Sequence, residues 1–170
     1  MYTSLRLGVM SVLIAFVCAS CAVSPEAEER RQRQEEDIQS ILSEPIDDEK
    51  LGTMKRCLSD HEFRSFRVLD DRRILFIGRH RGRLWLNTLK TRCQDLRFAT
   101  ALRVKGTLSS DRICRSDSFQ AGDWFDFPWY RRWPWHWGRT WSTGAICMLG
   151  DFQPVTEEQV EAIERVLESP

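Results

Sequence analysis

The chain has 170 residues, with 25 basic and 25 acidic side chains, three histidines and six cysteines. That length suits one domain with a tether rather than several domains, and a formal charge of zero gives no overall drive toward nucleic acid. The only strongly apolar stretch near the start, Leu7 to Val17, is eleven residues long, too short beside the ~20 a spanning helix needs.

The first segment has a short charged start ending at Arg6, an apolar run, and then small residues. This is the layout of a secretory signal peptide. Ala19 and Ser20 directly precede Cys21, in the manner of a bacterial lipobox, where the cysteine is acylated and becomes the new N-terminus. Cys18 fits less well, because Phe16 and Val17 are bulky where small residues are wanted. The competing readings are cleavage after Ala19 or Ala22 by an ordinary signal peptidase, or an uncleaved anchor. We therefore expect residues 1–20 to be a lipoprotein signal peptide and Cys21 to be the lipid attachment site. Stable anchoring needs two or more acyl chains, each contributing ~0.8 kcal/mol per buried methylene. Ala22, rather than an acidic residue, favours the outer membrane facing the periplasm.

Residues 21–50 read as an acidic, polar tether. From 22 to 50 there are four basic and ten acidic side chains, net −6. Ile38, Ile41 and Leu42 give one short apolar patch at helical spacing, and Pro45 closes it. Residues 51–150 hold nineteen basic and nine acidic side chains, net +10, and residues 151–170 one and six, net −5. The simple reading is internal compensation. The sharper one is a cationic body meeting an anionic partner, such as lipid headgroups or lipopolysaccharide phosphates.

Residues 51–170 read as a single domain. "FRSFRVL" (Phe63–Leu69), "RILFIG" (Arg73–Gly78) and "RLWLNTL" (Arg83–Leu89) predict a three-stranded antiparallel meander. Asp70-Asp71 and "RHRG" (Arg79–Gly82) supply its turns. Further strands are expected at Leu96–Val104, Arg112–Cys114 and Gly144–Leu149. At the end, Thr156 with Gln159 three residues on forms a capping box, and Val155 with Val160 a hydrophobic staple. Val160, Ile163, Val166 and Leu167 make one apolar stripe, so a terminal helix packs on the sheet. The fold class is α+β: a small, mostly antiparallel sheet with a C-terminal helix, stapled by disulfides.

Four cysteines remain for the staples: Cys57, Cys93, Cys114 and Cys147. An even number in an exported chain implies disulfides. A four-thiolate zinc site is the alternative, but the gaps of 36, 21 and 33 residues lack the close pairs such sites use. Of the three pairings we favour Cys57–Cys93 with Cys114–Cys147, because "RIC" and "AIC" both read as short strands that would be neighbours.

The order of lipobox, Cys57, "VLDDRRILFIGRHRGRLWLNTL", Cys93 with Asp95 and Leu96, "RICRSD" and "CMLGDFQPVTEEQV" resembles a family of small four-cysteine lipoproteins from Gram-negative bacteria whose domain has no known function. The likeness runs from Cys57 to Leu167. It implies lipidation and paired cysteines, and no reaction. The link between the last two cysteines is longer here than is usual in that family.

That longer link holds a Trp/Arg-rich insertion at 120–142, "DWFDFPWYRRWPWHWGRTW" at its centre, with six of the seven tryptophans. Trp129, Arg131, Arg132, Trp133, Trp135 and Trp137 are the candidate surface contacts. Indoles settle at membrane interfaces, and guanidinium groups pair with phosphates and stack on rings. Anionic lipid, a glycan such as peptidoglycan, or another envelope protein would suit them. The alternative is that these tryptophans complete a small core.

No enzyme motif is evident. The chain has no G-x-S-x-G, P-loop or dinucleotide fingerprint. His61 and His80 stand in polar settings, His136 sits between Trp135 and Trp137, and no pair has metal-ligand spacing. Asp117 could be a catalytic carboxylate, but reads far better as a turn residue. We expect no cofactor, no metal and no nucleic-acid partner. The sequence thus reads as a lipid-anchored envelope protein, non-enzymatic, acting as a structural or binding module. The alternatives are an anionic-lipid or glycan binder, and an unrecognised enzyme.

Overall fold

The computed structural model describes residues 24–47, 51–80, 82–105, 111–122 and 146–169. The chain divides into two compact units, Met1–Gln39 and Ser40–Pro170. Helix α1 (Pro25–Ser43) crosses that boundary. Of its predicted apolar patch, Ile38 is fully buried, and Ile41 and Leu42 are half-buried. Among the described residues no helix is long and apolar enough to cross a membrane.

The second unit is built from three antiparallel sheets. Strands β1 (Cys57–Ser59) and β6 (Arg112–Cys114) form a two-stranded ribbon. Strands β2 (Phe63–Val68), β3 (Arg73–Gly78), β4 (Leu84–Thr88) and β9 (Phe152–Val155) form a four-stranded sheet in the order β2-β3-β4-β9. Strands β5 (Ala101–Lys105), β7 (Ser118–Gly122) and β8 (Ile146–Met148) form the third sheet in the order β5-β7-β8. Helix α2 (Glu157–Glu168) closes the chain. This is the α+β, disulfide-stapled class expected.

The meander lies where the apolar runs place it, within one residue at each end. Its first turn is organised by Asp70, whose Oδ1 accepts the Arg72 N–H at 2.7 Å and whose Oδ2 accepts Arg73 Nη1 at 2.7 Å. An aspartate that binds the backbone two residues on is a ready-made turn. The second turn places Gly82 at φ +76°, in the left-handed region that costs glycine nothing.

Both faces of β3 are covered, so its burial does not alternate. Ile74 and Phe76 project into a core shared by all three sheets, with Leu58, Trp85, Leu96, Ile113, Phe119, Cys147, Leu149 and Phe152. Phe76 meets Phe63 and Phe152 edge-on, at 5.3 and 5.4 Å between ring centroids. The opposite face carries Leu75 and Leu86, directly paired. Helix α2 covers this side: Val160 and Ile163 are buried, and Glu164 reaches Arg67, the partner of Leu75, at 2.9 Å. Gln153 and Gln159 donate to the carbonyls of Leu42 and Ile41, at 3.1 and 3.0 Å, tying down the last turn of α1. The capping box is present: Thr156 Oγ1 accepts the Gln159 N–H, and Gln159 Oε1 accepts the Thr156 N–H, both at 3.1 Å.

Three expectations need correction. The disulfides are Cys57–Cys114 and Cys93–Cys147, not Cys57–Cys93 and Cys114–Cys147. The strand of Cys114 pairs with that of Cys57, whereas the strand of Cys147 pairs with β7, so Cys114 and Cys147 lie in different sheets. Cys57 and Cys114 face each other at a non-hydrogen-bonded position, the closer of the two antiparallel pair types, with Cα atoms 4.0 Å apart. Second, Leu96–Val104 is not one strand. A 3-10 helix (Gln94–Phe98) buries Leu96, and β5 begins only at Ala101. Third, β1, β7 and β9 are additional strands. Strand β9 contains Pro154, tolerated because β9 is an edge strand. Phe152 bonds outward to Lys55, so by alternation the Pro154 nitrogen also faces away from β4, and the ladder loses no donor.

Candidate functional site

Several sites predicted from sequence lie outside the described residues. These are Cys21, His136 and the insertion residues Trp129, Arg131, Arg132, Trp133, Trp135 and Trp137. The described residues do fix where the long link starts and ends. Gly122 ends β7, Ile146 begins β8, and Gln120 pairs with Ile146. Both ends of the link therefore stand at the same end of the three-stranded sheet.

The two faces of that sheet differ. Phe119, Ala121 and Cys147 turn inward and are buried. Arg103, Gln120 and Ile146 form one row across the other face, since directly paired residues project to the same side, and Gln120 at its centre is also buried. Met148 follows two residues after Ile146 on that side. Ile146 is 67% exposed, Met148 41%, and Phe98, at the end of the 3-10 helix, 81%. Arg97 and Arg103 are also exposed. The Thr100 N–H donates to the Gly122 carbonyl at 3.2 Å, which holds the Phe98 end of the 3-10 helix at this sheet end.

Asp117 has the turn role. Its Oδ2 accepts the Cys114 N–H at 2.8 Å, its own N–H donates to the Cys114 carbonyl at 3.0 Å, and its carbonyl accepts from Leu149 at 3.0 Å. It is 2% exposed. Ser116, at φ +74°, takes the left-handed position of the same turn. His61 and His80 are exposed, and no metal-binding group of three His, Cys, Asp or Glu exists among the described residues.

Two polar clusters escaped the sequence reading. In the first, Glu62 receives hydrogen bonds from Lys55 and from the Ser59 N–H, the latter at 2.9 Å, and Lys55 also sits 5.5 Å from the ring centroid of Trp85. Burial pushes the Glu62 carboxyl upward. The bonds from Lys55 and Ser59 and the charges of Lys55 and Arg83 outweigh it and hold the group below its ordinary 4.5. In the second, Asn87 is fully buried in β4. Its Oδ1 accepts the Gly150 N–H at 2.9 Å, and its Nδ2 donates to the carbonyls of Gly150 at 2.8 Å and Asp151 at 3.3 Å. The available signal was a lone amide inside the apolar run "LWLNTL". Both clusters join one segment of the fold to another. Neither sets a nucleophile against a base.

No curated protein and no solved structure matches the chain. One family model does, over residues 1–123, described as a family of unknown function (DUF6491). The match takes in the first twenty residues and the meander and stops at Asp123, where the tryptophan-rich sequence begins, leaving "GDFQPVTEEQ" beyond it. Because it spans well over half of the chain, the protein belongs to this family of unknown function, DUF6491.

Proposed function

We propose that the protein is a four-cysteine, lipid-anchored lipoprotein of a Gram-negative envelope. It begins at Cys21 after cleavage of residues 1–20, and it acts without catalysis as a structural or binding module on the periplasmic face of the outer membrane. The observation that carries this reading is the division of labour among the cysteines. Cys57, Cys93, Cys114 and Cys147 are used in two disulfides, which form and persist in oxidising compartments. The lipobox-like "ASC" supplies a further cysteine, Cys21, next to small residues and after an apolar run too short to span. Export, oxidation and acylation then belong to one route.

Intact mass of the protein purified from a Gram-negative host tests this. The expected species starts at Cys21, carries acyl mass, and gains four protons on reduction. Replacing Cys21 with alanine should abolish the acyl mass. A chain that retains Met1, or one without lipid, would overturn the assignment.

A further inference from the structure

We infer that the disulfide Cys57–Cys114 is a redox-exchange site whose partner is a dithiol, which opens it by attack on the Cys57 sulfur. Cys93–Cys147 is the structural bridge. This division does not depend on the acylation of Cys21.

The two bridges stand in different surroundings. Cys93 and Cys147, 1% and 3% exposed, both belong to the core shared by the three sheets. Leu58 and Ile113, the central pair of the β1–β6 ribbon, belong to the same core. Cys57 and Cys114 do not. They lie one residue along from Leu58 and Ile113, so they project from the opposite face of the ribbon. The other pair on that face is Ser59, half-buried, with Arg112, exposed. Cys57 is half-buried, and Cys114 is 8% exposed. Thiol–disulfide exchange needs a sulfur that a second thiol can reach. Of the four bridged cysteines, Cys57 is the most accessible.

The ribbon is also held by contacts that do not involve sulfur. The Arg115 N–H donates to the Arg56 carbonyl at 2.7 Å, and the Asp60 N–H to the Asp111 carbonyl at 2.9 Å, one just beyond each end of the paired strands. Asp117 Oδ2 accepts the Cys114 N–H at 2.8 Å. Lys55, two residues before Cys57, exchanges both backbone hydrogen bonds with Phe152, each at 2.9 Å. With Leu58 and Ile113 in the core, these contacts keep Cys57 and Cys114 opposite each other after the bond opens, so it closes again on oxidation. Cys93 and Cys147 are placed otherwise. Cys93 precedes the 3-10 helix, Cys147 lies in β8, and the strand partner of β8 is β7.

The exchange conserves electrons and protons. A thiolate of the dithiol attacks Cys57 Sγ and forms a mixed disulfide there. The Cys57–Cys114 bond breaks, and Cys114 leaves as a thiolate that takes up a proton. The second thiol of the partner, deprotonated, then attacks the partner's own sulfur in the mixed disulfide. Cys57 leaves and is protonated, and the partner departs as an internal disulfide. Two electrons and two protons pass from the dithiol to the ribbon.

The test uses the full oxidised chain without denaturant, with dithiothreitol as the dithiol. Timed samples are alkylated, and peptide mapping reads each cysteine separately, Cys18 and Cys21 included. Cys57 and Cys114 should become alkylated at least about tenfold faster than Cys93 and Cys147. The near-ultraviolet circular dichroism should stay native through that first phase, and oxidised glutathione should then restore the Cys57–Cys114 peptide. Equal rates, faster opening of Cys93–Cys147, or no opening of either bridge would overturn the assignment. So would opening of Cys57–Cys114 only in step with loss of the native spectrum. In single variants, the thiol left at Cys57 by Cys114→Ala should form a mixed disulfide with oxidised glutathione at least about tenfold faster than the thiol left at Cys114 by Cys57→Ala. Comparable rates would overturn attack at Cys57.

Discussion

Replacement of Gly150 with alanine probes the joint between β4 and β9. A Cβ at Gly150 would fall inside contact distance of the Thr88 carbonyl oxygen and 3.0 Å from its carbon. Both are backbone atoms of the sheet and cannot rotate away. The segment must shift outward, and the three Asn87 hydrogen bonds, at 2.9, 2.8 and 3.3 Å, shift with it. Overpacking of this kind costs about 1–3 kcal/mol, and each bond lost between buried groups about 1 kcal/mol more. The expected destabilisation is therefore about 3–5 kcal/mol, a large share of the ~5–15 kcal/mol typical of a domain.

Asn87→Ala attacks the same joint from the other side. It leaves the buried Gly150 N–H and C=O without that partner, at about 1–3 kcal/mol each. Because both substitutions break one set of bonds, the double variant should be scarcely worse than the more damaging single one. Denaturant unfolding with the disulfides intact, followed by tryptophan emission, measures all three. Gly82→Ala, where nothing lies within 4 Å of the added carbon, is the control and should cost only the left-handed strain, about 1 kcal/mol. A loss below about 1 kcal/mol for Gly150→Ala, or strict additivity with Asn87→Ala, would refute the proposed joint.

Other expectations are as direct. Non-reducing proteolysis with mass spectrometry should recover peptides joining Cys57 to Cys114 and Cys93 to Cys147; a Cys57–Cys93 peptide would contradict the fold. Removing Cys93–Cys147, which spans 54 residues, should cost about 4 kcal/mol in the chain-entropy model, read as a fall in the denaturation midpoint. Thr156→Ala should cost about 1 kcal/mol by loss of the cap, with Thr156→Ser retaining most of it. Glu62, held below 4.5 in the fold, contributes stability that is fully present above that value and is lost as pH falls through the lowered one. Lys55→Met should shrink this acid-side loss, and an unchanged stability–pH curve would argue against the pair. Arg67→Ala, which removes a partly exposed pair with Glu164, should change stability by no more than about 1 kcal/mol.

The elements legible in the sequence are those set by local chemistry. The meander has apolar runs of strand length separated by turn residues, and the final helix carries its own capping box, so neither depends on distant partners. The strands that escaped are short or atypical. "SFQAG" is small and polar at its ends, yet it is the central strand of its sheet because Phe119 and Ala121 turn inward. "FQPV" carries a proline that argues against a strand until its edge position is known. Leu96–Val104 looked continuous because Leu96 and Phe98 are apolar, but one is fully buried and the other 81% exposed, as only a turn of helix before the strand allows. For the site, the sequence marked tryptophans and arginines. It could not show that Phe98, Ile146 and Met148 lie on or beside one sheet, because that depends on which strands pair.

Cysteine pairing illustrates the same limit at the level of the whole core. Reading "RIC" and "AIC" as neighbouring strands suggests two bridges between successive cysteines, each closing a local loop. The fold interleaves them instead: the bridge from Cys57 to Cys114 spans 57 residues and that from Cys93 to Cys147 spans 54. The burial pattern explains why interleaving serves this protein. The ribbon of β1 and β6 has only three paired positions, yet Leu58 and Ile113 are both part of the common core. Cys93 follows the four-stranded sheet, whereas Cys147 lies within the three-stranded one. One bridge thus fixes the ribbon, and the other fixes the two larger sheets to each other. In a core assembled from strands of three to six residues in three sheets, the cysteines that meet are set by which strands pair, and no count along the sequence contains that pairing.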